Sequence, residues 1–316
     1  MIAFLFPGQG SQKVGMGRAL AEAFPEARAV FDEAERALPG LTAVMFEGPE
    51  DQLTLTENAQ PAILTVSIAA ARVLAARGIE PAFVAGHSLG EYSANVVAGT
   101  IEFGDAVRIV RRRGQYMQEA VPVGQGAMAA ILGLDAERVR QACEEAAQGE
   151  VVSPANINGA CQVVIAGARD AVQRAGDRAK ALGAKRAVPL PVSAPFHCAL
   201  MKPAEERLAP ALRALAARDP RVPVVANVDA EPKRDARGAI EALVRQVSSP
   251  VRWEDVVRRL ASDGVTTYVE AGPGTVLSGL AKKIHQGARV VSFAAAEDLA
   301  GVEAAVASHR NTEAPR

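Results

Sequence analysis

The sequence predicts an α/β protein: a parallel sheet covered on both faces by helices, with a small ferredoxin-like βαββαβ unit inserted into it. Three observations predict this. Short apolar runs alternate with helical segments over residues 1–124 and again over 192–316, as expected of strands buried between two helical layers. Residues 125–191 change period and read strand, helix, strand, strand, helix, strand. Gly86-His87-Ser88-Leu89-Gly90 makes a tight turn between an apolar run and a helix, the setting of a nucleophile elbow. The large unit is therefore 1–124 with 192–316, and the inserted unit is 125–191.

Each element has its own signal. Ile2–Phe6 is wholly apolar, stops at Pro7-Gly8 and reads as a buried first strand. It runs into Gly8-Gln9-Gly10-Ser11-Gln12, a loop rich in backbone donors. Residues 15–24 and 31–38 read as helices, and 58–77 as a long buried helix. The run 81–85 is a strand and 91–98 the helix behind the elbow. Phe103–Glu119 has the 3.6-residue period of an amphipathic helix, broken at 121–124. In the insert, 127–132 and 186–190 are the outer strands, with helices at Ala136–Ala147 and 169–182. Strands 151–157 and 162–166 form a hairpin around Asn158-Gly159, a favoured turn dipeptide. Helices 203–217, 236–247 and Trp253–Ser262 then alternate with strands 222–227 and 266–271. Gly272-Pro273-Gly274 opens a last long helix through Ile284. The chain past Phe293 holds one further helix and a polar tail expected to fray.

Composition excludes several function classes. The 316 residues carry 35 basic and 36 acidic side chains, a net charge of −1, so no global field recruits nucleic acid or an anionic membrane. Cys143, Cys161 and Cys198 are far apart and form neither a zinc-finger spacing nor a disulfide framework. The N-terminus lacks a basic leader, and the richest apolar segment, 62–76, is interrupted by Arg72 and too short to span a bilayer. A cytoplasmic protein is expected, with no membrane or nucleic-acid partner.

The elbow supplies a nucleophile. Glycines two residues either side of Ser88 remove the Cβ atoms that would clash as strand and helix close together. The helix N-terminus behind Ser88 adds free N–H groups and a positive dipole end. A serine needs a base, and four histidines exist. His309 lies in the tail, His285 ends a helix beside Lys282 and Lys283, and His87 adjoins Ser88 on a turn whose neighbours point apart. His197, at the junction where the insert returns to the large unit, remains.

Helical phase singles out an arginine. In Phe103–Glu119, Arg113 shares a face with Ala106, Ile109, Val110, Tyr116 and Met117, while Arg112 falls with Arg108 towards water and Arg111 at a boundary. An arginine on an apolar face must find an anion. Two are open to it: a structural Asp or Glu, or the carboxylate of a ligand.

Here the chain resembles a known family. Phe6-Pro7-Gly8-Gln9-Gly10-Ser11-Gln12, Gly86-His87-Ser88-Leu89-Gly90-Glu91-Tyr92-Ser93-Ala94, and Arg113 with Met117-Gln118-Glu119-Ala120 are similar to the malonyl-CoA:acyl carrier protein transacylases. So are Gln125-Gly126-Ala127-Met128-Ala129-Ala130, Asn156-Ile157-Asn158, Gln162-Val163-Val164-Ile165-Ala166-Gly167 and His197-Cys198-Ala199-Leu200-Met201. Asn227-Val228-Asp229 and Val269-Glu270-Ala271-Gly272-Pro273-Gly274 extend the likeness, which covers residues 1–290 in order.

The resemblance implies an α/β-hydrolase-like core with a ferredoxin-like insertion, and a stand-alone enzyme of fatty acid synthesis. Ser88 would carry a malonyl ester, with His197 as general base and acid. Backbone N–H groups of Gln9 and Leu89 would hold the oxyanion, and Arg113 the free malonyl carboxylate. The acceptor would be the phosphopantetheine thiol of a holo acyl carrier protein, with no cofactor beyond the coenzyme A thioester substrate. Gln246 would orient His197 through its backbone carbonyl; its position near a helix end allows a purely local role as well. Asn156 and Asn158 match an element near the cleft, with turn and strand-end roles equally open. Phe196 resembles the malonyl-selecting pattern of polyketide acyltransferase domains, although stand-alone malonyl enzymes carry Ser there.

Two rival readings follow from the same residues. An esterase-like hydrolase would place an acid between serine and histidine in chain order, and acids such as Asp135 and Asp170 do fall in that interval, both at helix starts of the insert. A non-catalytic carrier-binding subunit would not need Ser88, His197 and Arg113 together. For an acidic carrier protein, Lys282, Lys283, Arg111 and Arg112 are the candidate contacts.

Overall fold

The computed structural model describes residues 1–192 and 194–313, with side chains to residue 307. Ser193, the His309 side chain and the last three residues of the tail lie outside the described residues. The first half of the large unit runs β1 (Ile2–Phe6), α1 (Arg18–Ala23), α2 (Pro25–Ala37), α3 (Leu41–Glu47), α4 (Glu50–Thr54), α5 (Thr56–Ala75), β2 (Phe83–Gly86), α6 (Gly90–Val97) and α7 (Phe103–Glu119). The insert follows as β3 (Gly126–Leu132), α8 (Ala136–Ala147), β4 (Val152–Gly159), β5 (Gln162–Ala168), α9 (Arg169–Ala181) and β6 (Arg186–Pro189). The chain then adds α10 (Lys202–Arg213), β7 (Val224–Val225), β8 (Pro232–Lys233), α11 (Ala236–Gln246), α12 (Trp253–Ser262), β9 (Thr267–Ala271), α13 (Val276–Ile284), β10 (Arg289–Phe293) and α14 (Leu299–Glu313).

The large sheet has the order β10-β9-β1-β2-β7-β8, parallel except for the β7–β8 pair. All five residues of β1 are buried because the pleat sends them to two cores. Phe4 and Phe6 enter the cluster built on α2, α5 and α7, and Ala3 and Leu5 the one built on α12 and α13. The insert forms its own antiparallel sheet, β4-β5-β3-β6, with α8 and α9 packed over Ile131, Val163 and Ile165. This is the βαββαβ unit the period change predicts. A single bridge between Asn156 and Val251 ties β4 to the large unit. Among the described residues, no helix is long and apolar enough to cross a membrane.

Several elements differ from expectation. Pro25 starts α2 six residues earlier than its apolar phase suggests, because proline at the first helical position is pre-set for a helix. α3 and α4 are too short to show a period, so the sequence pattern predicts neither. The antiparallel edge strand β8 and the strand β10 are likewise unpredicted, so α13 is neither last nor adjacent to the tail. The hairpin turns at Ala160 and Cys161, with φ of 50° and 58°, not at Asn158-Gly159. Asn158 stays within β4, where its side chain has a partner described below.

The elbow explains the glycines around Ser88. A Cβ on Gly86 would lie 2.0 Å from the Gly90 carbonyl, and one on Gly90 would lie 2.0 Å from Phe6 O. Gly8 is equally tight, its Cβ position being 2.5 Å from His87 O. Strand β1, the elbow and the loop after β1 therefore meet backbone to backbone. Gly86→Ala or Gly90→Ala should lower stability by on the order of 3 kcal/mol, since backbone must move to admit the methyl. Denaturant unfolding checks this, and an unchanged midpoint would mean the elbow is looser than its geometry.

Candidate active site

Ser88 sits at φ 51°, a left-handed conformation that the turn imposes on a non-glycine residue. Its Oγ is 2.6 Å from His197 Nε2. Asn227, just past β7, clamps the elbow from behind: its Oδ1 accepts the Ser88 N–H at 2.7 Å and its Nδ2 donates to Gly86 O at 2.7 Å. His197 reaches the serine from the loop after β6, also with positive φ, 61°. His197 Nδ1 lies 3.0 Å from the main-chain carbonyl of Gln246. A carbonyl can only accept, so Nδ1 carries the proton and Nε2 is left to accept from the serine hydroxyl.

Among the described residues, no carboxylate bonds this histidine. Asp135 caps α8 by accepting from Arg138 N, and Asp170 lies in the first turn of α9. Burial, then the nearby charge of Arg113, pushes the His197 pKa down to about 3. The imidazole is therefore neutral, and competent as a base, throughout the physiological range. In ¹⁵N-histidine NMR spectra of the free protein, the His197 ring should stay unprotonated from pH 8 to pH 5, and titration near its ordinary value of 6.5 would contradict this burial.

Arg113 projects from α7 and is 2% exposed. Its Nη1 donates to Gln60 Oε1 at 2.8 Å, and its Nη2 to Gln246 Oε1 at 2.9 Å and Ser88 Oγ at 3.1 Å. The guanidinium lies 5.3 Å from the centre of the Tyr92 ring. Its Nε is buried without a partner. Every acceptor is neutral; among the described residues Arg113 makes no ion pair. Of the two anions open to it, a structural Asp or Glu is absent from its contacts. A buried cation thus lies beside the nucleophile with neutral acceptors only.

Gln246 is more than a helix-end residue. Besides its carbonyl to His197, its Nε2 donates to Ser88 O at 2.9 Å and to Glu91 Oε2 at 2.8 Å. The main-chain N–H groups of Gln9, in the loop after β1, and of Leu89, the residue before α6, meet no acceptor among the described residues. The Gln9 side chain pairs with Thr56 Oγ1 at 2.7 Å. Phe196 is buried beside His197 in the larger core.

The two asparagines of β4 do not join this group. Asn158 Oδ1 lies 2.9 Å from His87 Nε2, and the His87 ring packs 5.6 Å from that of Trp253. Asn158 thus supports the elbow's histidine, and neither it nor Asn156 bonds Ser88, His197 or Arg113. Asn156 Oδ1 is buried without a partner. His285, at the end of α13, faces Tyr268 Oη across 2.9 Å. Lys282, Lys283 and Arg112 are exposed, whereas Arg111 is committed to Asn58 and Glu57.

Sequence reasoning misses Gln60, Glu91 and Asn227 as members of the site. Gln60 has a readable signal, an amide inside the apolar stretch of α5 that demands a partner.

A family model described as an acyl transferase domain matches residues 3–314. The chain belongs to the acyl transferase family. This acyl transferase is 54% identical over 284 residues to the malonyl CoA-acyl carrier protein transacylase of Escherichia coli K12, covering 89% of this chain and 92% of that one. It is 50% identical over 300 residues to the Bacillus subtilis strain 168 protein of the same name, covering 94% and 95%. The crystal structure of an acyl carrier protein S-malonyltransferase from Vibrio cholerae superposes with a TM-score of 0.93 at 50% identity, over 95% of this acyl transferase and 99% of that chain. A malonyl-transacylase solved in complex with its type II polyketide acyl-carrier protein gives 0.93 at 48% identity, over 97% and 99%.

Proposed function

We propose that this acyl transferase moves a malonyl group from malonyl-CoA to the phosphopantetheine thiol of a holo acyl carrier protein, through an ester on Ser88. One observation carries the choice of acyl group: a buried guanidinium with only neutral acceptors, 3.1 Å from the nucleophile's Oγ. The chemistry follows from the atoms present. His197 Nε2 takes the Ser88 proton as Oγ attacks the thioester carbonyl, and returns it to the departing coenzyme A sulfur. The Gln9 and Leu89 N–H groups receive the negative charge on the carbonyl oxygen. Such a donor is worth about 2.7–4 kcal/mol, or roughly 10²–10³ in rate. In the second half-reaction His197 takes the proton of the carrier thiol and returns it to Ser88.

Arg113 binds the free carboxylate, and its fork suits two-pronged recognition. A carbonyl in place of an aspartate behind His197 fixes the tautomer while stabilising imidazolium less. That suffices where the leaving group is a thiolate. Nothing in the scheme needs a metal or prosthetic group. The reading places the protein in the cytoplasm, supplying fatty acid synthesis; its three free cysteines suit a reducing compartment, and its relatives' names give the acyl carrier protein as acceptor.

Initial-rate kinetics with malonyl-CoA and holo carrier protein varied together test it. The ester mechanism requires parallel double-reciprocal lines. Intersecting lines, or coenzyme A release just as fast with water as acceptor, would overturn it.

A further inference from the structure

Glu91, in the first turn of α6 behind the nucleophile, is 1% exposed and has no assigned part in the chemistry above. Its Oε2 accepts from Gln246 Nε2 at 2.8 Å and from the Asn227 N–H at 3.0 Å, while its Oε1 is buried without a partner. Those two donors are the residues that hold the machinery. Asn227 bonds the elbow at Gly86 and Ser88, and Gln246 holds His197, Ser88 and Arg113. An amide has one donor end and one acceptor end. Because Glu91 and Ser88 O both take the donor end of Gln246, its Oε1 must face Arg113. Together with Ser88 O, the carboxyl group thus fixes which way the Gln246 amide points, and so where the guanidinium rests.

Charge makes the same link. Only the Gln246 amide stands between the bonded atoms of Glu91 and Arg113. In the free protein the buried cation has a buried carboxyl nearby and no carboxylate in contact. A ligand carboxylate on Arg113 would put two acids around one cation, and the remote one has an open oxygen, Oε1, to take a proton without breaking either bond at Oε2. We propose that Glu91 is a positioning residue that aligns Arg113 through Gln246 and takes up a proton when a carboxylate-bearing acyl group binds Arg113. This rests on the malonyl reading above.

The surroundings suit such a role. The charged and titratable groups around Glu91 are Arg113 from α7, Asp229 from beyond β7 and its neighbour Tyr92; His197, held neutral, lies on the other side of Gln246. Burial is the largest influence and raises the Glu91 pKa to about 7; Asp229 adds to the rise, while the bonds from Asn227 and Gln246 and the charge of Arg113 oppose it. Neutralising Arg113 with a ligand removes an opposing influence, so the shift is upward and the proton is taken up, not released.

Calorimetry of malonyl-CoA binding to Ser88→Ala, in buffers of different ionisation enthalpy, counts the protons. At pH 7, malonyl-CoA should take up as much as about half a proton more than acetyl-CoA, which shares the coenzyme A phosphates but lacks the acid. The difference should vanish in Ser88→Ala with Glu91→Gln. Equal proton counts for the two thioesters on Ser88→Ala would overturn the proposal, even if the double variant failed to fold. So would a difference that persists in a folded double variant. If malonyl-CoA instead binds no more tightly than acetyl-CoA and Arg113→Ala changes neither, the malonyl reading itself has failed.

Discussion

Arg113→Ala should cut kcat/KM for malonyl-CoA by roughly 30–1,000-fold while leaving acetyl-CoA transfer unchanged or faster. The magnitude is that of truncating one partner of a buried, hydrogen-bonded charge pair, about 2–4 kcal/mol. The asymmetry has two sources. Acetyl has no carboxylate to lose, so the variant spares it the burial of an unpaired guanidinium. The Arg113 charge also lowers the basicity of His197. A malonyl carboxylate screens that charge and an acetyl group cannot, so only the acid-bearing substrate restores the base. Removing the arginine relieves the base for every substrate. Arg113→Lys should not rescue: an ammonium cannot serve Gln60, Gln246 and Ser88 with the spread of a guanidinium fork. Competing the two thioesters against one carrier protein measures the ratio. An unchanged ratio would place the carboxylate elsewhere.

Ser88→Ala and His197→Ala should each lower transfer by about 10³-fold or more, and the double variant should be no worse than either. Groups that act as a unit lose their effect together, because a base without a nucleophile has nothing to deprotonate. The 2.6 Å contact between them, and the tautomer that the Gln246 carbonyl enforces, make that unit. Purely additive losses in the double variant would mean that His197 acts on something other than the serine hydroxyl. His197→Ala with normal thermal stability is the cleaner of the two, since the histidine is buried but its ring is held by two hydrogen bonds rather than by a rigid turn.

The residues legible in the sequence are those whose signal is local. Gly86 and Gly90 mark the elbow because their spacing follows from one backbone crossing another. Arg113 shows itself through the 3.6-residue phase of α7, and His197 through the scarcity of histidine. Gln60 shows only that an amide in an apolar stretch needs a partner, and Glu91 and Asn227 carry not even that mark. Each is one polar side chain in a buried stretch, and its meaning depends on a partner far along the chain, such as Arg113 for Gln60 or Gln246 for Glu91. The fold follows the same rule. The long helices α5 and α7 and the βαββαβ order are readable from periodicity. The short helices α3 and α4 lack a period to read, and the edge strands β8 and β10 exist because β7 and β9 offer them hydrogen bonds. The turn at Ala160-Cys161 overrides a favoured dipeptide two residues earlier, because Asn158 is held in β4 opposite His87.

The most direct measurement is the intact mass of the protein after brief exposure to malonyl-CoA. One malonyl group should appear on the wild-type chain, be absent from Ser88→Ala, survive dilution into water, and leave when holo carrier protein is added. A chain that stays unmodified, or a Ser88→Ala chain that still gains the malonyl mass, would contradict an ester on Ser88.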